Sequence, residues 1–267
     1  MERPSKGLKR RYAAGMSDLV NLQSADGVLT LSLHRPDARN ALSLDLINAL
    51  ESTLQRVAAD AAARVLVLRG EGKAFCAGMD LRGVLHDAER MGLMLHTLAR
   101  VSLSLRRLAI PTIACVRGAA IGGGCGLMVA CDLAITHAEA KLGYPEVDLG
   151  ICPAVVAPLL MRRIGAGPAR AMLLTGGVVN GNEAHRLGLA THLALEGELE
   201  STATSLAHKL CAGGKEALAT TKQWLGELEG ELNDDIMRRA ADLSARIIRG
   251  DEAQQRLKAR FEAPARS

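Results

Sequence analysis

Aromatic side chains are scarce: Tyr12, Phe75, Tyr144, Trp224 and Phe261 are the only five in 267 residues. The core must therefore be filled by Leu, Val, Ile, Ala and Met. The six cysteines (Cys76, Cys115, Cys125, Cys131, Cys152 and Cys211) include no C-x-x-C pair, and most stand in apolar surroundings. That argues against a disulfide framework and for buried free thiols in a reducing, cytoplasmic compartment. The seven histidines show no ligand spacing, so no metal site is expected. No apolar run reaches the roughly 18 residues of a membrane span. Nucleotide-binding motifs are missing too. No glycine loop ends in G-K-[ST], and a G-x-G-x-x-G count from Gly122 or Gly70 arrives at Leu127 or Phe75. The absence of G-x-S-x-G excludes a hydrolase elbow.

What is present is ordinary globular composition, 48% hydrophobic and 23% charged. The net charge is +4, and much of it comes from the basic arm of residues 1–17. That arm lacks the apolar centre of a secretory signal and reads as a frayed, solvated segment. The balance suits a phosphate-bearing ligand, and no nucleic-acid motif accompanies it.

Val28 to Leu33 alternates as a strand, with a hairpin partner ending at Asp26-Gly27. Ser43 is placed to cap a helix whose Leu46, Ile47, Leu50, Leu54 and Val57 recur at helical spacing. Short buried-strand runs at 65–68, 112–116 and 133–136 alternate with glycine loops and helical stretches. That alternation predicts an α/β fold with parallel βαβ units. From Val155 the chain reads almost wholly helical, ending in segments 197–211, 214–230 and 233–260. The expected organisation is the arm, an α/β core over 18–195 and a helical region over 196–267.

Two loops each follow a strand: Phe75 to Asp80, "FCAGMD", and Ile121 to Gly126, "IGGGCG". Glycine lets a backbone approach a ligand closely, and a helix opening on glycines presents unpaired N–H groups at its positive end. One N–H from each loop could meet at a single oxygen. Close packing of helix on strand explains the same glycines, and both readings stay open here.

The blocks "HRPDARNAL", "RVLVLRGEGKAFCAGMDL", "PTIACVRGAAIGGGCGLMVACDLAI" and "KLGYPEVDLGICP" resemble, in order, those of the enoyl-CoA hydratase/isomerase (crotonase) superfamily. The likeness runs from about residue 18 to the C-terminus. It implies a crotonase-like spiral core of parallel βαβ type with a C-terminal helical trimerisation region. It also implies a homotrimer or dimer of trimers that acts on acyl-CoA thioesters, with no nucleic-acid or membrane partner. No separate cofactor is implied, because coenzyme A enters as part of the substrate. Carried over by position, the enolate oxygen would be held by the amides of Met79 and Gly123, with Gly122 beside them. Glu146 would be the acid/base. Arg39, Ala41, Ala77, Asp80 and Leu81 would line the coenzyme A path, completed by Lys258 and Phe261.

The sequence departs from that pattern at the acids. Hydratases of the family use two glutamates, and the first position is Gly126 here. A further acid position, eight residues beyond Glu146, is Ala154. A lone carboxylate suffices to move a proton from one carbon to another, whereas orienting water is harder. Tyr144 could donate a hydrogen bond in the pocket but reads as packing; His34, His86 and His96 receive no role. The alternatives are decarboxylation, C–C cleavage, or a thioester-binding protein without catalysis.

Overall fold

The structure is a computed structural model and describes residues 10–11, 18–230 and 232–262. Most of the basic arm, including Tyr12, therefore lies outside the described residues. The two that are described form β1 (Arg10–Arg11), which pairs antiparallel with β2 (Val20–Ala25). The expected hairpin joins β2 to β3 (Val28–Leu33), in register from Val20↔Leu33 to Ala25↔Val28. Asp26 and Gly27 turn it with φ of 50° and 81°, the left-handed pair that a two-residue hairpin needs.

Ser43 caps α1 (Leu44–Ala59): its Oγ accepts from the Leu46 N–H at 3.2 Å. β4 (Val65–Gly70), α2 (Ala88–Arg107), β5 (Thr112–Cys115), β6 (Ala119–Ile121), α3 (Gly123–Ala130) and β7 (Leu133–Thr136) follow. Next come β8 (Lys141–Gly143), α4 (Ala157–Ile164), α5 (Ala166–Thr175), β9 (Val178–Asn180), α6 (Gly181–Arg186) and β10 (His192–Leu193). α7 (Leu199–Cys211), α8 (Lys215–Leu228), α9 (Asp234–Ile248) and α10 (Asp251–Phe261) end the described chain.

The main sheet has the order β1-β2-β3-β4-β5-β7-β10 and runs parallel from β3 onward. Helices cover both of its faces, which is why Val65 to Leu68 and Thr112 to Cys115 are buried without alternation. Leu66, Leu68 and Ala114 face the larger core with α1 and α2. Val65, Val67, Ile113 and Cys115 pack on Leu199, Ala203 and Ala207 of α7.

The helical reading beyond Val155 needs correction at Val178–Asn180 and His192–Leu193, which are strands. The final stretch is two helices, because the chain breaks at Gly250, the N-cap of α10. β6, β8 and β9 form a second sheet that the pattern did not announce. Runs of two or three residues are too short to show a period.

The first glycine loop is threaded between two neighbours. The Cys76 N–H donates to Ala119 O at 2.9 Å, and the Ile121 N–H to Cys76 O at 3.0 Å. On its other flank the Leu42 N–H donates to Gly78 O at 2.8 Å, and the Asp80 N–H to Leu42 O at 3.0 Å. Asn40 locks this arrangement from inside. It is fully buried, its Oδ1 accepts from the Arg35 N–H at 2.8 Å, and its Nδ2 donates to Glu71 O and Ala74 O at 2.9 and 2.8 Å.

Candidate active site

The two glycine loops and the Pro145-Glu146 segment meet at a cavity of about 90 Å³. Met79, Gly123 and Glu146 all line it, as do Ala77, Leu81 and Gly122. Leu95 and Leu98 of α2 and Ser244 and Ile248 of α9 close the other sides. The sequence reading missed those four, because amphipathic spacing marks them only as core.

Two amides in this wall are unspent. Leu42 bonds to the residues on either side of Met79, so the Met79 N–H is turned away from that neighbour. Gly123 opens α3, where the first N–H groups have no helical acceptor. Among the described residues, neither amide donates a hydrogen bond.

The glycines are there for both reasons left open by the sequence. Gly122 takes φ 53° and ψ −122°, outside the range of L side chains, and a Cβ there would stand 2.9 Å from Glu146 Oε1. Its N–H donates to Gly143 O at 2.8 Å, tying the loop to β8. Gly124 serves packing alone: a Cβ would meet Cys76 O at 2.5 Å.

Glu146 begins a short turn whose Leu149 and Ile151 N–H groups both donate to its carbonyl, at 3.0 and 2.9 Å. Its carboxyl is pushed up to about 7, because burial penalises the charged form. Oε2 is closed to solvent and has no partner among the described residues. A carboxyl that loses its proton near neutral pH can both accept and return one.

No second acid lines the cavity among the described residues. At Gly126 a Cβ would lie 2.8 Å from Val156 Cγ1, and Val156 itself faces the cavity. A methyl group thus fills the direction in which a second carboxylate would reach. Ala154 lines an outer groove between α4, α5 and α9 instead.

The remaining expected contacts lie outside this cavity. Asp80 is paired with Arg35 at 3.0 Å, and the same guanidinium donates to Ala41 O at 2.5 Å. Arg35 therefore braces the two expected coenzyme segments, a role that its place in "HRPD" gave no hint of. Arg39 is exposed with φ 51°. Lys258 is exposed on α10, while Phe261 packs partly into the core with the Arg82 guanidinium 5.5 Å from its ring centre.

The sequence model of the enoyl-CoA hydratase/isomerase family matches residues 23–259. A Thermus thermophilus protein provisionally named an enoyl-CoA hydratase is 37% identical over 242 residues, 88% of this chain and 94% of its own length. The crotonyl-CoA hydratase of Syntrophomonas wolfei is 32% identical, covering 76% of this chain and 79% of its own. The crystal structure of an enoyl-CoA hydratase from Bacillus halodurans matches with TM-score 0.84 at 25% identity, over 90% of this chain and 99% of that one.

Proposed function

Because the chain belongs to the enoyl-CoA hydratase/isomerase family, we propose that it moves a proton on an enoyl-CoA thioester, with double-bond isomerisation as its main reaction. The expected crotonase-like α/β fold holds, and with it the acyl-CoA class of substrate. The observation that carries the finer reading is the pairing of one carboxyl, Glu146, with two unspent amides, Met79 and Gly123, around one cavity.

In this reading the thioester oxygen sits between the two amides. Glu146 takes a hydrogen from the α-carbon, and negative charge passes to that oxygen. Fixed backbone dipoles stabilise the charge without reorganising, and each such donor is typically worth about 3–4 kcal/mol. The carboxyl, now neutral in surroundings that favour the neutral form, returns the proton at the γ-carbon. No separate cofactor is needed, since coenzyme A arrives with the substrate. The Val156 methyl group over Gly126 disfavours a second acid to hold water, which ranks hydration below isomerisation.

Absorbance of the conjugated thioester tests this. A 3-enoyl-CoA should gain it in the presence of the protein, and the rate should fall as pH drops below about 7, where Glu146 becomes protonated. Rapid loss of absorbance from a 2-enoyl-CoA would make the protein a hydratase. Loss of CO2 or fragmentation of the acyl group, seen by mass spectrometry, would assign another chemistry. Binding with no turnover would leave a thioester carrier.

We also propose a cytoplasmic homotrimer or pair of trimers, in line with the exposed Leu174, Val178, Leu195, Trp224 and Leu228. No helix among the described residues is long and apolar enough to cross a membrane. Light scattering behind gel filtration should give three or six copies; a monomer would refute the assembly.

A further inference from the structure

The direction of the Met79 N–H is set by the peptide it belongs to. In a trans peptide the carbonyl and the N–H point opposite ways across one plane. The carbonyl of that plane is Gly78 O, which accepts from the Leu42 N–H at 2.8 Å. The next amide, Asp80 N–H, donates back to Leu42 O at 3.0 Å. Leu42 therefore grips the chain on both sides of Met79 and turns the Met79 N–H to the far side, where Met79 lines the cavity.

Leu42 also reaches the second amide. It is wholly buried, and its Cδ1 stands 3.2 Å from the place a Cβ on Gly123 would take. Its main chain aims one amide, and its side chain lies against the glycine that carries the other.

Leu42 is in turn fixed by Arg35, whose terminal nitrogens divide between the two segments. Nη1 donates at 2.5 Å to the carbonyl of Ala41, the residue before Leu42. Nη2 donates at 3.0 Å to the carboxylate of Asp80, the residue after Met79. A guanidinium is planar and rigid, so the two bonds set one spacing. Ala41 O takes a second bond, from the Ser43 N–H at 3.1 Å, which ties the same carbonyl to the start of α1. Arg35 itself is anchored by its main chain. Its N–H donates to Oδ1 of the buried Asn40 at 2.8 Å, and its carbonyl accepts from the Ala38 and Asn40 N–H groups at 3.0 and 2.9 Å.

We infer that Arg35 is a positioning residue for the oxyanion site: its guanidinium sets the spacing between the Ala41-Leu42 and Met79-Asp80 segments, and with it the aim of the Met79 amide. The inference rests on Met79 and Gly123 being the amides that hold the thioester oxygen. Bracing of the coenzyme segments alone would act on KM. Aiming an amide acts on kcat, because that amide binds the charged oxygen of the transition state more strongly than the ground-state carbonyl.

The test compares Arg35→Lys and Arg35→Gln with the parent. Lysine keeps the charge but presents a point donor in place of the fork. Two readouts are taken: kcat and KM on the 3-enoyl-CoA, and the infrared carbonyl band of an isotope-labelled enoyl-CoA bound to the protein. The band is measured in a Glu146→Gln background, which stops turnover; well-aimed donors draw charge onto the oxygen and lower its frequency. For Arg35→Lys, kcat should fall about 10-fold, and for Arg35→Gln about 30-fold or more, with KM within about threefold. In both, the band should move back toward that of the free thioester. If Arg35→Gln does not fold, Arg35→Lys carries the same readouts. A parental kcat with an unmoved band, whether KM rises or the melting temperature falls, makes Arg35 a brace for coenzyme or fold and overturns this inference alone. A bound thioester whose band is unshifted with Arg35 intact overturns the reading of the two amides, and this inference with it.

Discussion

Glu146→Gln should lose about 10³-fold in kcat, within the range usual for a removed acid/base, while coenzyme A affinity stays nearly unchanged. Gln keeps the size of the side chain and cannot exchange a proton with carbon. The amides of Met79 and Gly123 remain to bind the thioester oxygen, so binding survives the loss of turnover. The same variant should be more stable than the parent at neutral pH. An unfolded glutamate releases its proton near 4.5, the folded one near 7. Between those values the folded state holds more protons, so stability falls as pH rises through the window. Above about 7 the buried charge costs the fold up to about 3 kcal/mol. Gln carries no charge, so its melting temperature should exceed the parent's at about pH 8 and approach it at about pH 4.5. An inactive yet more stable variant is the signature of a buried working carboxylate. Retained activity would remove Glu146 from the mechanism.

Gly122→Ala should be nearly as damaging, by a different route. The native φ and ψ at 122 are strained for any L residue, and the new methyl group would press on Glu146 Oε1 at 2.9 Å. Relief must come from the backbone, which moves the neighbouring Gly123 amide, or from the carboxyl, which leaves the cavity. Either displaces one partner of the reaction, and kcat should fall on the order of 10²-fold. Circular dichroism would show the fold intact, because the strain is confined to the turn before α3. An alanine variant with parental kcat would mean that the Gly123 amide and Glu146 need not hold these positions.

The parts of the protein legible from the sequence are those where one local rule dominates. Asp26-Gly27 announces its hairpin and Ser43 its helix, because a turn and a cap are decided within a few residues. The strand, glycine loop and helix alternation gave the parallel sheet. Val178–Asn180 and His192–Leu193 stayed hidden, since their strand state comes from a partner across the sheet. The site divides along the same line. Met79, Gly123 and Glu146 stand in contiguous blocks and were placed by resemblance, and the fold brings them to one cavity. Ser244 and Ile248 come from α9, remote from those blocks, and burial alone told nothing of which cavity they would face. Arg35 was equally silent: its bonds to Ala41 and Asp80 span 45 positions at most.

The most direct test of the central claim is the fate of the hydrogen at the α-carbon. A 3-enoyl-CoA deuterated at that carbon, incubated with the protein in H2O and followed by mass spectrometry and NMR, reports whether the α-hydrogen is removed to give an enolate. One deuterium leaving the α-carbon with the parent protein, whether to the γ-carbon or to solvent, and none leaving with Glu146→Gln, is the result expected of two amides and one carboxyl. Saturable binding of the thioester with the α-deuterium retained in both samples would contradict it.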